Sequence, residues 1–255
     1  MKTMDVAVIG ICAALYALVG RLIDFFGFTF YGVAFWPAVF IPAIFAVLYG
    51  PWVGGTGAAI GIFIRDMLFH GNPLLSLTAG VTSNFVVFFI IGYIAIRKLD
   101  LKKLLLGAAL TGIALVAGLL LPTLLLPTEF TAYTGLPTTL ILGVSVVTVL
   151  VSLGIIIAVS LRWKEWRSFA AGAVIGQSLG AAIVAIGVWG YSQLFFSPTG
   201  YITVQLQTSL IPIIFVWTFA TEIPFVLLVS PPIIKVCYLA FPFLRQRQQN
   251  KIKAN

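Results

Sequence analysis

The chain has 255 residues, of which 61% are hydrophobic and only 9% charged. Soluble domains carry about 25% charged residues, so too few charges are present to cover a water-facing surface. The formal net charge is +8, but the basic residues gather at the edges of apolar blocks rather than in one patch, which argues against a nucleic-acid partner.

Leu, Ile, Val, Ala and Phe come in blocks of roughly 20 residues, the length that crosses about 30 Å of hydrocarbon as a helix. Backbone in lipid must satisfy its own hydrogen bonds, and uninterrupted blocks exclude the alternation of an outer-membrane barrel. The fold class is therefore all-α: a polytopic membrane helix bundle, with residues 1–255 forming a single membrane domain. In chain order eight blocks are predicted, at about 5–26, 30–49, 52–70, 76–97, 102–122, 137–161, 167–195 and 204–241. A secretory leader over residues 6–20 is disfavoured, since Asp5 precedes the block and no loop follows Ala17. Pro51 falls in the first turn of the third helix, where the missing N–H is tolerated. The last block holds Pro212, Pro224 and the Pro231–Pro232 pair and is expected to be kinked or broken. Residues 123–136 read as an external loop. Cys12 and Cys237 both lie in apolar blocks and read as small hydrophobes, not as a disulfide or a metal pair.

Basic residues set the topology. With the N-terminus inside, one side receives Lys2, Arg97, Lys98, Lys102, Lys103, Arg162, Lys164, Arg167, Lys235, Arg245, Arg247, Lys251 and Lys253, and the other only Arg21 and Arg65. This bias requires an even number of helices and places both termini in the cytoplasm, in a protein of the plasma membrane.

Arg21 and Arg65 then stand out on the outer side. Asp24 follows Arg21 by three residues, so both project from one face of the first helix. Arg65 and Asp66 are adjacent and point about 100° apart; each is expected to need a partner from another helix, or water. Ionisable groups at membrane depth are costly unless paired or wetted, and by default mark a functional site. His70 and Asn72 follow on the same side. Trp36, Asn84, Trp189, Tyr191 and Gln193 are expected at similar heights, giving an outward-opening cup with aromatic walls and a few polar groups. A blander reading stays open: Arg21–Asp24 as an interfacial bridge, and the aromatics as a membrane belt. Glu222 is read as bonding backbone freed by Pro224, or as a proton relay.

Small residues form a second pattern. Ala13 and Ala17 lie four apart, with Gly10 and Ala14 as a parallel pair, and Gly50, Gly54, Gly57 and Gly61 repeat the theme. Such faces allow close helix approach in lipid.

AALYA in the first helix, followed by FWPAVFIPAIFAVLYGPWVGGTGAAIGIFIRDML, resembles the substrate-binding S components of energy-coupling factor (ECF) transporters, which take up vitamins and other micronutrients. Ala13, Ala17, Pro37, Pro42, Gly50–Pro51 and Asp66 carry the resemblance, which extends over 5–97 and more loosely over 167–241. It implies a six-helix core, so residues 101–161 would be an inserted two-helix hairpin. It also implies a receptor without chemistry of its own. Such a receptor captures a small solute from outside and docks, through Ala13 and Ala17, on a transmembrane coupling subunit driven by two ATP-binding cassette ATPases. No cofactor or metal is implied. GxxxxGK[ST] and HExxH are absent and the seven acidic residues are scattered, so an intramembrane enzyme is poorly supported. An independent ion-coupled carrier of a small organic solute, kept open by Glu222, and an assembly factor are the competing readings.

Overall fold

The computed structural model describes residues 3–26, 29–30, 33–97, 138–197 and 199–244, with isolated helical positions between 102 and 117. Most of the expected fifth block, the loop 123–136, much of the first half of the 101–161 hairpin and the tail from 245 lie outside the described residues.

Helix α1 (Thr3–Ile23) has Asp5 in its first turn and Arg21 in its last, both favourable to the helix dipole, and it tightens into a 3-10 turn at Asp24–Phe26. The second expected block is not one span. Strands β1 (Thr29–Phe30) and β2 (Val33–Ala34) pair antiparallel, with Thr29 opposite Ala34 and Phe30 opposite Val33. A 3-10 turn at Pro37–Val39 follows, and only then α2 (Phe40–Tyr49). Pro37 accounts for the late start, because it disfavours helical geometry at Trp36 before it and suits the first position of the turn. At ten residues, α2 is about 15 Å long and too short to cross a bilayer alone.

Gly50 ends α2 with φ 114°, a conformation open to glycine, and Pro51 opens α3 (Pro51–Phe69). Helix α3 packs closely on α1: a Cβ added at Gly57 would sit 2.7 Å from Cys12 Sγ, and one at Gly61 2.8 Å from the Ala13 carbonyl oxygen. This packing corrects the expectation for Ala13 and Ala17. They are 3% and 6% exposed and face the inside of the bundle, whereas Gly10 and Ala14 turn outward among exposed Ile11, Leu15 and Leu18.

Gly71 (φ 65°) and Asn72 break the chain before a short helix, α4 (Pro73–Leu75). It runs through a π-helical segment at Ser76–Val81 into α5 (Thr82–Ala95). Helix α6 (Thr138–Arg162) leads through a 3-10 turn at Lys164–Trp166 to α7 (Arg167–Phe195). Helix α8 (Leu210–Ala240) closes the order and runs unbroken through Pro224, Pro231 and Pro232. Proline 224 strips the Ala220 carbonyl of its helical donor, and Ser152 Oγ of α6 donates to that oxygen at 3.2 Å. A neighbouring helix thus supplies what the proline removed.

The packing order places α3 between α1 and α5, α5 against α7, and α7 against α8, while α2 touches α3 and α8. The largest core cluster joins Tyr16, Trp36, Phe88, Ile91, Phe169 and Phe219 from these elements. Among the described residues four helical segments are long and apolar enough to cross a membrane: Thr3–Ile23, Pro73–Ala95, Lys164–Phe195 and Leu210–Ala240.

Candidate functional site

The charges singled out in α1 and α3 meet. Arg65 Nε donates to Asp24 Oδ2 at 3.0 Å, and Nη2 donates to Asp24 Oδ1, so the guanidinium grips the carboxylate with two parallel bonds. Its Nη1 donates to Asp66 Oδ1 at 3.0 Å. The expectation that neighbouring Arg65 and Asp66 need separate partners is therefore only half right, because the arginine side chain is long enough to bend back over the 100° offset. The guanidinium also meets two aromatic rings, with Cζ 4.5 Å from the Trp36 ring centroid and 4.2 Å from that of Phe69. Arg21 stays at the margin, with its side chain 43% exposed and Nη1 3.5 Å from Asp24 Oδ2.

Asp66 is held from three sides. Besides Arg65, Ser76 Oγ donates to its Oδ2 at 2.7 Å, and His70 Nε2 lies 3.7 Å from Oδ1. The His70 Nδ1 accepts from the Asn72 backbone N–H at 3.1 Å, which leaves Nε2 as the protonated nitrogen of a neutral ring, aimed at Asp66. The π-helical segment makes this possible by widening one turn. Gly80 within it leaves room for the carboxylate, since a Cβ there would lie 2.7 Å from Asp66 Oδ2.

A second polar chain runs beside the first. Trp36 Nε1 donates to Tyr16 Oη at 2.6 Å, Tyr16 Oη donates to Asn84 Oδ1 at 2.5 Å, and Asn84 Nδ2 donates to the Gly80 carbonyl at 2.9 Å. Each donor in this three-bond relay has an acceptor.

Between these groups lies a partly open cavity of about 80 Å³. Trp36, Arg65, Asp66, His70 and Asn84 line it, together with Val33, Val184, Val188, Thr218 and Glu222. Five expected site residues thus reach one hollow, and Asp24 and Arg21 support it from behind. The other four do not line it. Asn72 is a helix cap, its Oδ1 accepting from the Leu75 N–H at 3.0 Å while Nδ2 donates to Tyr191 Oη. Gln193 Nε2 donates to the Leu206 carbonyl at 2.8 Å and its Oε1 accepts from Gln205 at 2.9 Å, fastening the segment that follows α7. Trp189 packs in a second apolar cluster with Tyr201, and among the described residues its indole N–H is the one buried side-chain donor without a partner. Tyr201, in the same connecting segment, sets its ring at a 32° tilt with its centroid 4.8 Å from that of His70, and burial pushes the pKa of its hydroxyl up to about 12, so it remains protonated.

Sequence reasoning missed Tyr16, Ser76, Gln177 and Thr218 as parts of the site and set Glu222 apart from it. Instead of bonding backbone near Pro224, Glu222 Oε2 accepts from Gln177 Nε2 at 2.6 Å, and the side chain lines the same cavity as Arg65. Serine, threonine and glutamine inside apolar helices gave a faint signal; nothing marked Tyr16.

Apolar helices packed around a small hollow with an ion cluster and an aromatic wall are the features of a helical membrane bundle. The family model for the S component of the ECF-type riboflavin transporter matches residues 1–164, and the chain belongs to that family, a group of substrate-binding subunits of vitamin transporters. Comparison with curated proteins and with solved structures returned no match.

Proposed function

We propose that this chain is the solute-capturing subunit of an ECF-type importer, that its solute is a flavin such as riboflavin, and that the cavity walled by Arg65, Asp66, Trp36 and Glu222 is where the solute binds. The observation that carries this reading is the convergence of Trp36, Arg65, Asp66 and Asn84, all within the segment matched by the family, on one cavity. In the proposed orientation both termini are cytoplasmic and the Arg21–Arg65 end of the bundle faces outward, following the basic-residue bias.

Cavities that take drug-sized ligands measure about 300–1,000 Å³, against about 80 Å³ here. A flavin enters only if the elements around the cavity move apart. The lining includes the β2 residue Val33, whose carbonyl accepts from Trp217 Nε1 at 3.2 Å, and the α7 residues Val184 and Val188.

Delivery across the membrane is assigned to a transmembrane coupling subunit and two ATP-binding cassette ATPases. The docking face on this chain is α1, through outward-facing Gly10 and Ala14 in place of Ala13 and Ala17. Small residues at four-residue spacing permit close contact with a partner helix.

The test is a fluorescence titration of the purified full-length chain with riboflavin, followed by uptake measurements with and without the ATPase-containing module. Saturable quenching and module-dependent uptake are expected; uptake by this chain alone would favour an independent carrier, to which Glu222 in the same cavity is the one structural pointer.

A further inference from the structure

Glu222 differs from the other acids of the site in having no cation. Arg65 is taken up by Asp24 and Asp66, and no ion pair reaches Glu222 among the described residues. Among the described residues the one hydrogen bond to its carboxyl comes from Gln177, itself 2% exposed, and engages Oε2. Thr218, one turn earlier on α8 and lining the same cavity, does not compete for it, because its hydroxyl donates to the Ile214 carbonyl at 2.9 Å. Glu222 is only half-buried although it lies well inside a long helix, and it lines the cavity. A carboxyl in such a place is costly until a donor meets it.

We infer that Glu222 selects the solute: held by Gln177, its carboxyl accepts a hydrogen bond from an N–H group of the ligand, so the subunit takes ring solutes that present an imide, amide or ammonium N–H to the inner wall of the cavity. The inference rests on the flavin reading above, in which the donor is the imide N–H of the flavin ring. Glu222 and Gln177 both lie beyond residue 164, where the family match ends, so this selectivity is a property read from the present chain. Gln177 acts as a positioning residue, fixing the carboxyl without touching the solute.

The test compares two ligands on the full-length chain in detergent: riboflavin, and riboflavin methylated at its imide nitrogen. Sites built to receive a donor strongly disfavour analogues that lack it. The wild-type chain is expected to bind riboflavin tighter by about ten- to a hundredfold. E222A is expected to lose most of its affinity for riboflavin, little for the methylated ligand, and thereby the discrimination. E222Q, which keeps an acceptor oxygen, is expected to retain part of it and serves where E222A does not fold. Equal wild-type affinities for the two flavins, or undiminished discrimination by a folded E222A or by E222Q, overturn the inference while leaving the flavin reading intact. Absence of riboflavin binding by the wild-type chain overturns both.

Discussion

Arg65 on α3 and Asp24, just past the end of α1, form a two-bond ion pair with side-chain exposures of only 6% and 2%. Removing one member leaves the other buried with only its second partner, Asp66 at 3.0 Å for Arg65 or the more exposed Arg21 at 3.5 Å for Asp24. The cost is therefore expected to stay below the roughly 3–5 kcal/mol of a buried charge left wholly unpaired. R65A and D24A are each expected to lower the thermal midpoint of the detergent-solubilised protein strongly. The double variant is expected to be less destabilised than the sum of the two. R65K is expected to recover only part of the loss, because an ammonium cannot make the two-bond contact of a guanidinium and does not offer its flat surface to the Trp36 and Phe69 rings. Additive losses in the double variant would show that the two residues do not act as a pair.

Tyr16 joins α1 to the turn before α2 and to α5 through one hydroxyl. Y16F keeps the ring but strands the Trp36 N–H and the Asn84 oxygen. A cost of about 1–3 kcal/mol is expected, the usual penalty for leaving buried polar groups unmatched. Thermal unfolding monitored by tryptophan fluorescence reads it, and a midpoint unchanged from wild type would mean that water replaces the hydroxyl.

Part of this site was legible because charges in apolar helices have few physical solutions. Arg21, Asp24, Arg65 and Asp66 had to be paired or wetted, and the structure pairs them. The α7 bounds expected at 167–195 coincide with Arg167–Phe195, since apolar length and flanking charge both mark the ends. What escaped depended on neighbours. Spacing by four fits Ala13 with Ala17 as well as Gly10 with Ala14, and only the position of α3 decides which pair is buried. The place of Glu222 beside Arg65 escaped because α8, at 31 residues and about 46 Å, is longer than a bilayer core is thick, so position along the helix is a poor guide to depth. The π-helical turn at Ser76–Val81, which brings Ser76 to Asp66, has no compositional mark at all.

Ser152 and Pro224 are coupled through the Ala220 carbonyl. Interhelical hydrogen bonds of this kind are worth about 0.6 kcal/mol on average and up to about 1.7, so S152A is expected to destabilise by roughly that amount. In a P224A background the helix supplies its own donor to Ala220, and S152A is expected to become nearly neutral. Unfolding measurements on the four proteins of this cycle check it. An equal cost of S152A in both backgrounds would remove the link to the proline.

The two small-residue faces of α1 differ in burial, Ala13 and Ala17 inward and Gly10 and Ala14 outward, and under the proposed docking they are expected to respond differently to added bulk. Ala13 is buried, and its backbone is close enough to α3 that a Cβ at Gly61 would lie 2.8 Å from its carbonyl oxygen and 3.1 Å from its Cα. A13L overpacks that contact, which typically costs about 1–3 kcal/mol, and is expected to lower both thermal stability and riboflavin affinity of the isolated chain. Ala14 is exposed, and nothing lies within 4 Å of a Cβ at Gly10, so A14L and G10L have space in the isolated chain. Both are expected to fold and bind like wild type but to fail to co-purify with the ATPase-containing module, because their added bulk holds a partner helix off. Co-purification is read by affinity capture of the co-expressed module, and riboflavin titration of the same preparation supplies the binding control. Retained capture by A14L and G10L would move the docking face off this side of α1, whereas lost binding would place the pair inside the fold after all.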